Sequence, residues 1–460
     1  MSITSKYKNN LKSGGIWAFI GKFFTTFMTL VINAILARML AAEDVGIYFL
    51  AFNFALFGAY IGTIGFEQTV VRFIADNLGK KQLKNVSFMI KMSFIATMIG
   101  SALVGTIFFF SSDWIALSVF QSVGFSSISM ILIFWMAANS FQILLGETFR
   151  GFQDIRFASI FGGVLSTAIF TLTLGGIVYF QWITLTLHST IFIWVLSLAI
   201  SNGIGLLTLA RKIQLLMKEA ETDQKRTLPV KRIFSTTFPL MVVSVSIYIL
   251  SQCDLWIIGG VGDDKDVAIY GAASKLAMLM SMPSLILNSV VSPIIAEKYA
   301  QGKIKGLERT LRTVATLGII PALGLFLLFI TLGKFILSIV FGSTIYGSGE
   351  FILILLALKQ LINAWVGSTG TVLAMAGRQK QLMNITLWTG VASIILSILL
   401  GSIYGGVGVA LGFLIPGIIS PLMMKRTASK LVHVRADVDI WGTIQFLKDR
   451  FKARRVREEM

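Results

Sequence analysis

The chain has 460 residues, of which 55% are hydrophobic and only 13% charged, yet its formal net charge is +18. Soluble domains carry about 25% charged residues, so lipid is the solvent for most of this one. A single cysteine, Cys253, excludes internal disulfides and cysteine-based metal sites. Two histidines, His188 and His433, are too few and too far apart in sequence for a metal centre, so no metal or cofactor is expected.

A membrane-spanning helix needs about 20 mostly apolar residues. On that rule twelve are expected, near 16–37, 46–66, 86–110, 123–146, 158–181, 185–208, 234–259, 267–292, 311–332, 349–375, 382–401 and 404–424. The expected fold class is therefore an all-α polytopic membrane protein. The first stretch is too long for the apolar region of a cleaved signal sequence. Most of the 40 Lys and Arg fall in the N-terminus, the even-numbered loops and the C-terminal tail. The odd-numbered loops hold Arg38, Lys265 and Lys334. This sorting follows the positive-inside rule and predicts a multi-pass protein of the cell membrane with both termini in the cytoplasm. Placed this way, the positive charge calls for membrane lipids as partners and for no nucleic acid.

The chain also repeats itself. Val45-Gly46-Ile47-Tyr48 returns as Val267-Ala268-Ile269-Tyr270, each after acidic residues (Glu43, Asp44; Asp264, Asp266). Ile74-Ala75-Asp76 is answered by Ile295-Ala296-Glu297, and Gly151-x-Gln153 by Gly377-x-Gln379. Matches in one order at a nearly constant offset indicate a duplicated unit. Six spans per half is an even number, so the halves share one orientation, as parallel repeats do in transporters. The expected domains are an N-terminal six-helix lobe (1–210), a cytoplasmic connector (211–233), a second six-helix lobe (234–425) and a basic cytoplasmic tail (426–460). All prolines lie at or beyond Pro229, and Pro283, Pro321 and Pro416 fall in spans, so the second lobe should be the more kinked. In the tail, Ile440, Trp441, Ile444, Leu447 and Phe451 share one helical face amid basic residues, which suits a helix on the inner leaflet. A solvated basic tail is the alternative.

No phosphate-cradling glycine loop with its lysine, nucleophile elbow or paired His ligands occurs, so neither an enzyme nor an ATP-driven pump is expected. The informative residues are polar groups inside spans. Lys22, Thr26, Thr29 and Asn33 form one stripe on the first helix. At the repeat offset, Ser244, Tyr248 and Ser251 occupy the seventh, and Asp254 extends the row. These faces fit a shared, wet cleft, whereas hydroxyls alone often just bond their own helix. On the tenth helix, Lys359, Asn363, Gly367, Gly370 and Ala374 form a face without large apolar residues. Lys359 lies about 15 Å deep by helix rise, near the midplane. A lipid-facing lysine there costs about 3 kcal/mol, which favours a functional position. Lys22, Lys91 and Lys275 lie nearer span ends, within snorkelling reach of the interface. Asp254 and Lys275 sit at similar depths, about 8 and 10 Å from the outer surface, as a candidate ion pair. The remaining candidates, Lys22, Lys91 and Lys359, are all positive, which points to an anionic substrate.

Gly65-Phe66-Glu67-x-x-Val70-Val71-Arg72-Phe73-Ile74-Ala75 resembles the signature of bacterial and archaeal polysaccharide flippases, as does Ala37-Arg38-x-Leu40 before Glu43-Asp44-x-Gly46-x-Tyr48. Pro239-Leu240, Asp254, Ile257-Ile258-Gly259 and Ala268-x-Tyr270-x-x-Ala273 resemble that family's second lobe, so the likeness spans roughly 12–425. The family sits in the superfamily of multidrug and toxin extruders and lipid II flippases. The resemblance implies a V-shaped pair of six-helix lobes that rocks between inward- and outward-open states. It implies a polyprenyl-diphosphate-linked oligosaccharide, a cell-surface polysaccharide precursor, moved from the inner to the outer leaflet, with other polysaccharide-assembly proteins as partners. Lipid II flippases of the superfamily usually have fourteen spans against twelve expected here. Cation-coupled drug extruders usually place an acid in the first helix, where this chain has Lys22 and Asn33. A secondary drug or solute exporter is the alternative. One form of it is the major-facilitator type, whose loop signature is mimicked by Ala75-Asp76-Asn77-Leu78-Gly79-Lys80-Lys81 with Arg72 in place of its leading glycine. A membrane glycosyltransferase would want longer charged outer loops than this chain has.

Overall fold

The computed structural model describes residues 3–80, 82–181, 184–219, 230–284, 303–439 and 441–442, with Ile295, Lys298, Tyr299 and Gln301. Among the described residues every regular element is helical, as the fold class requires. Among the described residues nine helices are long and apolar enough to cross a membrane, or ten if one bent pair counts as a span. The expected twelve is therefore not reached, for two reasons. The last two spans form one helix of 53 residues, Gln379–Leu431, broken at Gly405 (φ 57°, ψ −138°). The eighth, 267–292, is helical over Asp264–Leu279, and from 285 it lies outside the described residues.

Two compact units divide the chain, Met1–Ala268 and Ile269–Met460. The first holds α1 (Ile3–Met39), α2 (Ala42–Gly62), α3 (Phe66–Gly79), α4 (Leu83–Trp114), α5 (Val123–Ser127), α6 (Ser129–Gly151), α7 (Ile155–Ser159), α8 (Leu165–Phe180), α9 (Leu187–Glu219) and α10 (Val230–Val261). The boundary cuts α11 (Asp264–Leu279). At its centre is α2, packed on α4, α6 and α10, with two thirds of its apolar window buried. Rings carry that packing outward: Tyr48 and Phe52 each lie 5.9 Å from Trp135, and Trp194 stands edge-on to Phe170 at 4.5 Å. The expected second loop is instead α3. Phe66, Val70, Phe73 and Ile74 recur at helical spacing and pack against Met89, Ile90, Leu144 and Phe149. Between α2 and α3 the chain turns at Gly65 (φ 78°), where a Cβ would run into the Thr237 carbonyl of α10.

The duplicated signature has a structural consequence. A Cβ on Gly46 would collide with the Asp264 carbonyl and lie beside the backbone nitrogen of Ala268, its counterpart in the second copy. The absence of a side chain at Gly46 lets the two segments meet. Ser122 Oγ donates to Asp264 Oδ2 at 2.8 Å. Burial pushes the Asp264 carboxyl above the usual carboxylate range; the Ser122 hydrogen bond opposes this, and the charges of Asp263, Glu43 and Asp44 add to it.

The second unit holds α12 (Ile304–Phe341), α13 (Thr344–Gly347), α14 (Glu350–Val366), α15 (Thr369–Met375) and α16 (Gln379–Leu431). The apolar window of α12 has a mean hydropathy of 2.4 but is only 17% buried. Its Ile320, Leu327 and Phe335 are exposed, which in so apolar a helix marks a lipid face. α14 and α15 meet at a 50° bend. The long helices break at Gly163 (φ 146°) and Gly405, while Pro239, Pro321, Pro416 and Pro421 stay inside helices. Glycine supplies positive φ, which proline cannot. After α16 the chain does not leave the protein. Val432, Val434 and Ala436 pack with Leu307, Leu311, Val372 and Leu373. Val438 N–H donates to the Trp365 carbonyl (3.1 Å), and Asp439 N–H to Thr316 Oγ1 (3.0 Å). Arg312–Asp439 (3.1 Å) and Lys425–Asp437 (3.0 Å) ion pairs fasten this strap. Of the expected surface helix, Trp441 is exposed, while Ile440, Ile444, Leu447 and Phe451 lie outside the described residues.

Candidate functional site

The polar stripe of α10 meets partners from α2 and α3. Ser244 Oγ donates to Glu67 Oε1 (2.7 Å) and accepts from Gln68 Nε2 (2.8 Å), and Thr63 Oγ1 donates to Glu67 Oε2 (2.8 Å). Glu67 is 4% exposed and stands in the first turn of α3, where the helix dipole favours a carboxylate. One helical turn along α10, Tyr248 Oη donates to the Asn53 carbonyl (2.8 Å). Ser251 is exposed and bonds the Tyr248 carbonyl (2.9 Å). Asp254 Oδ1 accepts from Leu255 N–H (3.0 Å). Ser244 and Tyr248 therefore spend their hydroxyls inside the first unit.

The α1 stripe is placed differently. Lys22 is exposed, and Thr26 and Thr29 donate to the carbonyls of Lys22 (2.9 Å) and Thr25 (2.7 Å), the self-bonding alternative for hydroxyls. Asn33 is 2% exposed, and its Nδ2 has no hydrogen-bond partner among the described residues. Lys91 is exposed on α4, and Lys275 is half-buried on α11. Asp254 belongs to the first unit and Lys275 to the second.

The tenth-helix face splits in two. Lys359 is half-buried on α14, with Nζ 5.3 Å from the centre of the Phe413 ring on α16 and its methylenes against Gly417. Such a cation–π contact contributes about 0.5–2 kcal/mol. Asn363 and Gly370 instead border a cavity of about 300 Å³ in the second unit. Gly367 (φ 71°) makes the bend beside it, where a Cβ would strike the Ala436 carbonyl of the strap. Beyond the bend the lining continues through Ser368, Thr369 and Thr371. Gln360, Ser281 and Ser284 add polar groups, and Val314, Pro421 and Met424 an apolar wall.

Sequence reasoning missed Gln360, Ser368, Thr371, Ser281 and Ser284. The run Gly367-Ser368-Thr369-Gly370 inside an apolar stretch is a breaker signal, and a broken helix is where transporters expose polar groups. It also missed Gln68 and Thr63 as partners of the α10 stripe, because their contacts with Glu67 and Ser244 depend on how α2, α3 and α10 pack.

Comparison with known proteins points one way for the fold. A polysaccharide biosynthesis protein profile matches residues 11–298, more than half of the chain, and a MatE profile matches 239–403. An inward-facing multidrug resistance MATE family transporter of the MOP superfamily superposes with a TM-score of 0.71 at 13% identity, covering 89% of this chain and 96% of that one. A MOP superfamily transporter from Pyrococcus furiosus gives 0.64 at 14% identity, covering 91% and 94%. The lipid II flippase MurJ in an inward closed conformation gives 0.65 at 16% identity, covering 93% and 89%. No curated protein matches the sequence.

Proposed function

We propose a function from one premise: the chain belongs to the polysaccharide biosynthesis protein family and is a membrane transporter of the MOP superfamily. It flips a polyprenyl-diphosphate-linked oligosaccharide from the inner to the outer leaflet by alternating access, in the cell membrane, with both termini cytoplasmic. The family match across 11–298 carries this reading. Lysines within the expected spans support it, since Lys22 and Lys91 are exposed cations of the first unit, the chemistry that a diphosphate calls for. A lysine in this setting acts as a compact point charge with three donors and needs no fixed fork geometry. The likeness to MurJ, a lipid II flippase by name, adds support from the fold.

One observation favours a second reading, export of drugs or other solutes: the MatE match over 239–403. Against export of cations stands α1, whose Ile3–Met39 stretch contains no Asp or Glu. A membrane solvates an organic cation poorly, so its carrier needs an acid open to the cargo, and the buried Glu67 is engaged by Ser244 and Thr63 instead.

Reconstitution separates the two readings. Purified protein in liposomes carrying a fluorescent polyprenyl-diphosphate oligosaccharide should expose inner-leaflet sugar to a glycosidase added outside. Digestion should pass from about half of the lipid towards completion. A plateau at half, in liposomes that extrude a dye cation, overturns the flippase reading.

A further inference from the structure

We infer that the cavity of the second unit is a recognition subsite for a neutral sugar ring, taking its hydroxyl and acetamido groups while the lipid diphosphate is held by other groups. This deepens the flippase reading and rests on it. The cavity, about 300 Å³, is at the small end of ligand-binding volumes, suited to one ring and not to a whole oligosaccharide.

Its lining selects the chemistry. Among the described residues that border it, none is Lys, Arg, Asp or Glu. The nearest lysine in sequence, Lys359, holds its ammonium over Phe413 instead. A phosphate would want paired cations, and an organic cation would want an acid or an aromatic face. Here the donors and acceptors are amides and hydroxyls, each able both to give and to accept a hydrogen bond. That duality matches a sugar hydroxyl, which also does both. The side-chain amides of Gln360 and Asn363 make no hydrogen bond with any described residue, so they stand ready for a ligand. Val314, Pro421 and Met424 give an apolar wall for the C–H face of a ring.

The position is built by the fold. Gln360 and Asn363 are three apart, on one face of the last turns of α14. Bending by 50° at Gly367 turns the chain so that Ser368 and Thr371 line the same cavity. The strap makes that bend definite, because Val438 N–H caps the Trp365 carbonyl and Ala436 fills the space that a side chain at residue 367 would need. A site built to hydrogen-bond a hydroxyl discriminates strongly against ligands that lack one, since its own polar groups are then left unpaired.

The test measures binding to the purified full chain in lipid nanodiscs with two probes: bare polyprenyl diphosphate, and the same lipid bearing one N-acetylhexosamine. The sugar should tighten binding by about tenfold, the worth of one or two net hydrogen bonds. Gln360→Leu combined with Asn363→Leu should erase that gain while bare lipid binds as before, which also verifies folding. The milder Asn363→Ala should erase part of it. If the sugar adds nothing in the unaltered protein, or its gain survives the double substitution, the subsite is overturned while the flippase reading stands on the bare-lipid binding. If neither lipid binds, the flippase reading falls and the subsite with it.

Discussion

The two units spend their polar residues in opposite ways. In the first, Glu67, Ser244, Gln68 and Thr63 bond one another, and Tyr248 bonds the Asn53 carbonyl, so the stripe closes on itself. In the second, Gln360, Asn363 and Thr371 face a cavity of about 300 Å³. Polar groups inside a membrane protein are expensive, and they persist for two reasons that look alike in sequence. Satisfied groups fasten helices together, and open ones wait for a ligand. Ser244 and Asn363 both sit on polar faces of apolar helices, and only packing assigns them to different jobs.

The largest effect should come from breaking the closed network. Glu67→Leu removes the acceptor of two hydroxyls; Thr63 keeps the Tyr60 carbonyl as an acceptor (2.9 Å), but the buried Ser244 hydroxyl loses its own, at about 1–3 kcal/mol for the orphaned group. Thermal unfolding of purified protein should show a drop of many degrees, and Glu67→Gln, which keeps an acceptor oxygen, a smaller one. Asn363→Ala in the open region should barely move the transition. An equal loss at both positions would erase the contrast between the units.

Next in size is Lys359. Lys359→Met keeps the methylene packing on Gly417 and loses the charge over Phe413, so stability should change by no more than about 2 kcal/mol. Transport should fall several-fold further than stability explains if the ammonium meets the diphosphate, and Lys359→Arg should keep part of it. Full transport by Lys359→Met, measured by surface polysaccharide in a complemented deletion strain, would leave Lys359 a packing residue.

How much of this was legible beforehand differs by element. The apolar spans and the all-helical class could be read because period and composition are local. The approach of Gly46 to the Asp264 carbonyl and Ala268 was not foreseen, because it depends on how the two copies of the signature pack. α3 was hidden because only half of it is apolar, and its amphipathic spacing is shorter than a span. Besides the prolines expected to bend helices, breaks fall at Gly163, Gly367 and Gly405, where positive φ is needed. Asn363 and Gln360 both line the cavity; only Asn363 lies on the small and polar face visible in the sequence, while Gln360, next to Lys359, joins the cavity through the fold. The strap was overlooked although Val432 to Asp439 alternates apolar and polar residues strictly, the period-2 pattern of a half-buried extended segment, because a basic tail after the last span reads first as solvated.

Smaller effects sharpen the picture at the edges of each unit. Arg312→Ala removes the strap's partner for Asp439, a half-exposed pair worth about 1 kcal/mol or less. Amide hydrogen exchange at Val438 should quicken, while α2 should be unaffected. For Asp264 the folded carboxyl is raised, so its protonated form suits the fold, and that advantage is lost as pH rises through the folded value. Asp264→Asn should therefore stabilise slightly at neutral pH, with the gain fading in acid below the ordinary carboxylate range. A gain that grows in acid would contradict the burial account.

The central claim is movement of a lipid-linked oligosaccharide, and the most direct measurement is made in cells. Delete the gene, extract the lipids and identify polyprenyl-diphosphate saccharides by mass spectrometry, with their leaflet assigned by a membrane-impermeant glycosidase on intact cells. The account predicts accumulation of a complete oligosaccharide lipid on the inner leaflet, protected from the enzyme and cleared when the intact chain is restored. An unchanged lipid pool, together with raised sensitivity to cationic drugs, would contradict it.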